Sequence, residues 1–141
     1  MTQHILLDTG PLVAYLNQHD PNHDWARLQW QNLQPPMLTC EAVISESCHL
    51  LRRTRHGVLN VFEMMRRAVI RVAYHLEDEI APVGMLLKRY NDVPMSLADA
   101  CLVRMAEMYS ESTVLTMDSD FRHYRKNRRQ VIPLLIPSER K

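Results

Sequence analysis

Two short apolar runs, each followed closely by an aspartate, constrain this chain more than any other feature. Ile5-Leu6-Leu7 runs into Asp8-Thr9-Gly10-Pro11, and Val114-Leu115-Thr116 runs into Met117-Asp118. An apolar run without polar alternation fits a strand covered on both faces. Pro11 suits the first turn of a helix reaching Leu16. Met37-Leu38-Thr39, the β-branched stretch 69–73 and the stretch 131–135 are further strand candidates. Helical spacing fills the gaps. Trp25, Leu28 and Leu33 share one side of a helix that Pro35-Pro36 ends, and residues 40–53 form another. A helix starts after Gly57, one covers 77–90 with Pro82 in its opening turn or shifting its start, and the clearest covers 96–109. One or two helical turns over 118–124 lead into a basic loop. Strands separated by helices predict an α/β domain with a parallel sheet.

The 141 residues fit one domain over 1–141, and an apolar share of 46% is enough to build one core without staples. A formal net charge of +1 excludes a molecule that binds nucleic acid by bulk charge, so any basic surface must be local. Cys40, Cys48 and Cys101 are scattered, form no zinc-ligand pattern and read as buried thiols. The N-terminal residues do not form a signal-peptide pattern, and no run approaches the roughly 20 apolar residues of a membrane span. The expected location is the cytoplasm.

In an open parallel sheet the carboxyl ends of the strands face the ligand crevice. Asp8 and Asp118, each just past a strand, can therefore meet there, although either alone also reads as a turn residue or helix cap. Glu46 lies three residues beyond Val43 and four before Leu50, beside the apolar face of its helix. An acid there is costly unless paired or metal-bound; the edge of that face, or pairing with Arg53, is the plainer alternative. Asp99 sits among Leu97, Ala98, Ala100, Leu102 and Val103, and Ser96-Leu97-Ala98-Asp99 equally matches a capping box. Four carboxylates near one pocket repel each other, which a hard divalent cation resolves.

The densest basic run is Arg122-His123-Tyr124-Arg125-Lys126-Asn127-Arg128-Arg129. Tyr124, Arg125, Lys126, Arg128 and Arg129 are candidate RNA contacts there, the tyrosine by stacking on a base; a solvated loop is the alternative. Arg52, Arg53, Arg55 and His56 form a second cluster with the same two readings, since cations are expected after a helix C-terminus. The stretch 19–24 resembles a metal cluster in composition, but turn and cap roles suffice. Gly10, Gly57 and Gly84 are isolated, so there is no Gly-rich phosphate loop.

Taken in order, Ile5-Leu6-Leu7-Asp8-Thr9, the segment from Thr39 through Glu46, Ser96-Leu97-Ala98-Asp99-Ala100 and 115–121 resemble the PIN-domain family, especially its VapC-like bacterial group. The resemblance covers the chain nearly end to end. It implies a three-layer α/β/α sandwich around a mainly parallel sheet of four to five strands, and an endoribonuclease dependent on Mg2+ or Mn2+. It maps the acidic cluster, both catalytic and metal-holding, onto Asp8, Glu46, Asp99 and Asp118. Asp120 is an outer member, and Thr9 and Thr116 orient carboxylates or water. Relatives often carry another Asp where this chain has Ser96. The family also implies an RNA substrate, an antitoxin partner and a homodimer. Two other readings stand beside it. One is a PIN fold kept as a silent RNA-binding or protein-interaction module. The other is a phosphatase using Asp8, which would want a second Asp where Gly10 stands.

Overall fold

The computed structural model describes residues 3–138. Strand β1 (His4–Leu7) lies in the middle of a five-stranded sheet, with β2 (Met37–Thr39) and β3 (Ile70–Val72) on one side. On its other side lie β4 (Ser112–Leu115) and β7 (Leu134–Leu135), and every pairing is parallel. This is the α/β architecture expected from alternating strands and helices.

Helices cover both faces because the central strands are apolar on both. Leu6 and Val114 enter a core with α5 (Ile80–Arg89) and α6 (Leu97–Met108). Leu7 and Leu115 point the other way, toward α1 (Thr9–Leu16) and α4 (Gly57–Arg66). The half-buried Trp25 and Trp30 of α2 (His23–Asn32) pack against that second core. α3 (Glu41–Leu50) straddles both, giving Val43 to the first core and Ile44 and Cys48 to the second. No helix among the described residues is long and apolar enough to cross a membrane.

Three segments depart from the sequence expectation. The helix placed over 77–90 begins as a 3-10 turn at Leu76–Glu79, and α5 starts only at Ile80, with Pro82 in its first turn. The strand placed over 131–135 is split. Pro133 has no N–H to give a ladder, so β6 (Gln130–Val131) pairs antiparallel with β5 (Arg125–Lys126), and only Leu134–Leu135 joins the main sheet. The basic loop thus contains a hairpin, with Asn127 and Arg128 in left-handed backbone (φ 49° and 72°) at its turn.

Candidate active site

The site is built at the carboxyl ends of β1 and β4. Their register sets Leu7 opposite Leu115, so Asp8 and Thr116 emerge side by side. The Thr116 hydroxyl donates to Asp8 Oδ2 at 2.7 Å and accepts from the Asp118 backbone N–H at 3.0 Å. One hydroxyl thereby ties the ends of two strands distant in sequence. Asp8 also caps α1, its Oδ1 accepting from the Thr9 N–H at 2.8 Å. The Thr9 hydroxyl donates to Glu46 Oε2 at 3.2 Å and so links α3 to the same group.

Asp99 comes from the first turn of α6. The capping box read in the sequence is formed: the Asp99 N–H donates to Ser96 Oγ at 3.0 Å, and the Ser96 N–H donates to Asp99 Oδ2 at 3.1 Å. That does not exclude a second role, because Asp99 Oδ1 accepts no hydrogen bond among the described residues. The Tyr124 hydroxyl also reaches Asp99 Oδ2, at 3.3 Å. Asp118 caps the 3-10 turn over Ser119–Arg122, accepting from the Asp120 N–H at 2.9 Å.

Electrostatics bring three of these acids together. Burial pushes the Asp8 carboxyl up to about 6, against the lowering effect of the Thr116 and Thr9 hydrogen bonds, and the charges of Asp99 and Asp118 add to the rise. Burial likewise raises Asp99, with Asp118 contributing. Tyr124 is raised by burial and by the nearby charges of Asp99, Asp120 and Asp118. None of the four acids forms an ion pair with a cationic side chain among the described residues. Asp8, Asp99 and Asp118 repel one another, and with Glu46 they offer hard oxygen donors without a cationic partner among the described residues, a set that fits a divalent cation chemically. They are nonetheless spread out: among the described residues no three His, Cys, Asp or Glu side chains stand close enough to hold an ion as placed. Asp8 and Asp99 are buried, whereas Asp118 is half-buried and Glu46 is exposed.

Several sequence expectations need correction. Glu46 is exposed, so no burial cost marks it, and it pairs with Thr9 rather than Arg53. Tyr124 is fully buried, its ring edge-on to Phe121 and Tyr90, and offers no face to a base. It walls the site instead, a role signalled in the sequence only by its i,i+3 spacing from Phe121 inside a basic run. Lys126 is also buried, its Nζ 3.5 Å from the Ser110 carbonyl. Arg125 is half-buried, with its guanidinium on the Arg122 and Tyr124 carbonyls; Arg128 and Arg129 are exposed. The sequence also gave no hint of a cavity of about 520 Å³ between α3 and α6, where Cys40, Cys101 and Tyr74 meet. None of the four acids lines it.

Thr116→Val tests the bridge directly. It keeps the shape but leaves a buried carboxylate oxygen and an amide N–H unpaired, a cost of about 1–3 kcal/mol. Denaturant unfolding is expected to show that loss, and Thr116→Ser is expected to restore most of it.

A doubly covered parallel sheet with aspartates just past the ends of two neighbouring strands defines a class of acidic-site α/β domains. Within that class the chain belongs to the PIN-domain family, whose model matches residues 5–127. It is 27% identical to ribonuclease VapC26 of Mycobacterium tuberculosis (strain ATCC 25618 / H37Rv) over 123 residues, covering 85% of this chain and 89% of the relative. The crystal structure of Mycobacterium tuberculosis VapC20, described as a sarcin-ricin loop cleaving toxin, shares the fold with a TM-score of 0.71 at 24% identity. That match covers 82% of this chain and 91% of the other.

Proposed function

We propose that the protein is a divalent-metal-dependent endoribonuclease that hydrolyses RNA phosphodiester bonds, the toxin of a toxin–antitoxin pair. The observation that carries this is that Asp8, Asp99 and Asp118, from three separate elements, lie near enough for their charges to add to the raised proton affinity of the two buried ones, with no cationic partner among the described residues. Membership of a family with typically metal-dependent ribonucleases supports the chemistry, and the named relatives support RNA as substrate and an antitoxin as partner.

Asp8, Asp99, Asp118 and Glu46 would hold Mg2+ or Mn2+, which when bound lowers the pKa of water and offsets charge on the phosphate. The chain's own part is positioning. Thr116 and the Thr9 amide fix both oxygens of Asp8. Ser96 and Tyr124 hold Oδ2 of Asp99 and leave Oδ1 for the site. Asp120 presents its amide to Asp118. Ser96, standing where relatives often carry an acid, serves as a cap here and leaves four acids for the cluster. Arg128 and Arg129, exposed on the hairpin turn, would meet RNA phosphates. The spread of the acids is the observation that favours a second reading, a silent RNA-binding module.

Incubating the purified chain with RNA, with and without Mg2+ or Mn2+, separates the readings. Cleavage that chelator abolishes and added metal restores is expected. Binding without cleavage under any of these metals would establish the module, and phosphate release from small esters alone would point to a phosphatase.

A further inference from the structure

α1 begins at the acids and ends, eight residues and about 12 Å later, at the rim of a second cavity. This basin of about 710 Å³ is closed on its other side by the turn between α3 and α4. His19, His23, Arg53, Arg55 and His56 line it, and none of its lining residues is acidic. Asp20, in the neighbouring turn, accepts from the Asn22 amide at 2.8 Å.

Cations gather after helix C-termini for a simple reason, attraction to the last carbonyls. Arg52 does this, its Nη1 on the His49 carbonyl at 2.7 Å. Arg53 and Arg55 do not. Both are exposed, and among the described residues neither touches a helix carbonyl nor forms an ion pair. Among the described residues the partner of Arg55 is the His56 ring, 3.3 Å from its Nε. His56 is held in left-handed backbone (φ 57°), a conformation that costs a non-glycine residue free energy. The next position permits only glycine, since a Cβ on Gly57 would lie 2.8 Å from the Leu51 carbonyl oxygen. The turn is therefore rigidly set, with His56 and Arg55 held beside the basin. No side chain caps the first turn of α4, which starts there.

We propose that this basin binds phosphate groups of the RNA backbone at a distance from the scissile bond, acting as a second, sequence-independent grip on the substrate. The inference rests on RNA being the substrate. Guanidinium forks beside imidazoles and the polar side chains of Asn17, Gln18 and Thr54 suit phosphodiester oxygens. Such contacts fix position and register without reading bases.

The test is RNA affinity of the full chain in chelator, where cleavage is off, read by fluorescence anisotropy across a salt series. Arg53→Glu/Arg55→Glu is expected to weaken binding at least about tenfold and to flatten the salt slope by about 1.4, roughly 0.7 for each lost contact to single-stranded RNA. Arg53→Gln/Arg55→Gln, which avoids repulsion within the turn, is expected to lose several-fold with the same change of slope. Equal affinity and slope in wild type and both variants would overturn the inference, as would wild-type protein that does not bind RNA in chelator. Inorganic phosphate shifting the histidine resonances without competing with RNA would assign the basin to a small anion instead. Binding lost in the variants by a protein that cleaves nothing sinks the nuclease reading alone. Cleavage with variant-insensitive binding sinks the basin alone.

Discussion

Asp8→Asn is expected to make the metal-free protein more stable while abolishing its activity. The carboxyl titrates near 6 in the folded chain against an ordinary value of 3.8, chiefly because it is buried. Folding therefore favours the protonated form. The sign follows from linkage: the folded state binds more protons between the two values, so this group's stabilisation is complete below about 4 and is lost as pH rises through about 6. At pH 7.5 the buried charge costs about 2–3 kcal/mol, from about 1.36 kcal/mol per pKa unit. Asn carries no charge and still offers an oxygen to the Thr9 amide. Thermal unfolding in chelator should show the variant melting roughly 5–10 °C higher at pH 7.5, with the gap closing near pH 4. A lower melting temperature at pH 7.5 would mean that Asp8 is chiefly structural. RNA cleavage by the same variant should fall by at least about 1,000-fold, the scale of losing a group that acts directly on the reacting centre.

Asp99→Asn separates the capping role of Asp99 from its proposed role as a metal ligand. As a cap, Asp99 needs only an oxygen for the Ser96 amide and for Tyr124, and asparagine supplies one. Stability should then stay within about 1 kcal/mol of wild type. As a ligand, Asp99 needs its charge, and cleavage should drop by at least about 100-fold. Ser96→Ala makes the converse case, costing about 1 kcal/mol of helix capping and leaving most of the activity. If Asp99→Asn cleaves RNA at the wild-type rate, the capping box accounts for this residue entirely and the cluster loses a member.

The strand-then-aspartate pattern made it legible that Asp8 and Asp118 lie at one end of the sheet, because neighbouring parallel strands present their carboxyl ends together. Asp99 was legible as an acid with two uses, and the structure makes the first use explicit. Glu46 does not bear the burial cost its spacing suggests, since helical spacing places a side chain beside a face without saying how deep that face lies. Thr116 as a bridge depends on the β1–β4 register, a long-range pairing that neither segment encodes alone. Tyr124 was hidden by its basic neighbours. Residues 122–129 read as an exposed run, whether RNA-binding or solvated, yet Tyr124 turns inward beside Phe121 against α6 and Ile132, while Arg128 and Arg129 stay exposed. Pro133 splits the strand expected over 131–135, since it has no N–H to give the ladder.

Whether the carboxylates share one cation can be measured without RNA. Mn2+ titrated into the purified chain at pH 7.5 and followed by electron paramagnetic resonance should show ions leaving the free pool, with the bound fraction largely lost in both Asp8→Asn and Asp99→Asn. Mn2+ uptake that is absent from wild type, or unchanged in both variants, would mean that these acids do not converge on a metal.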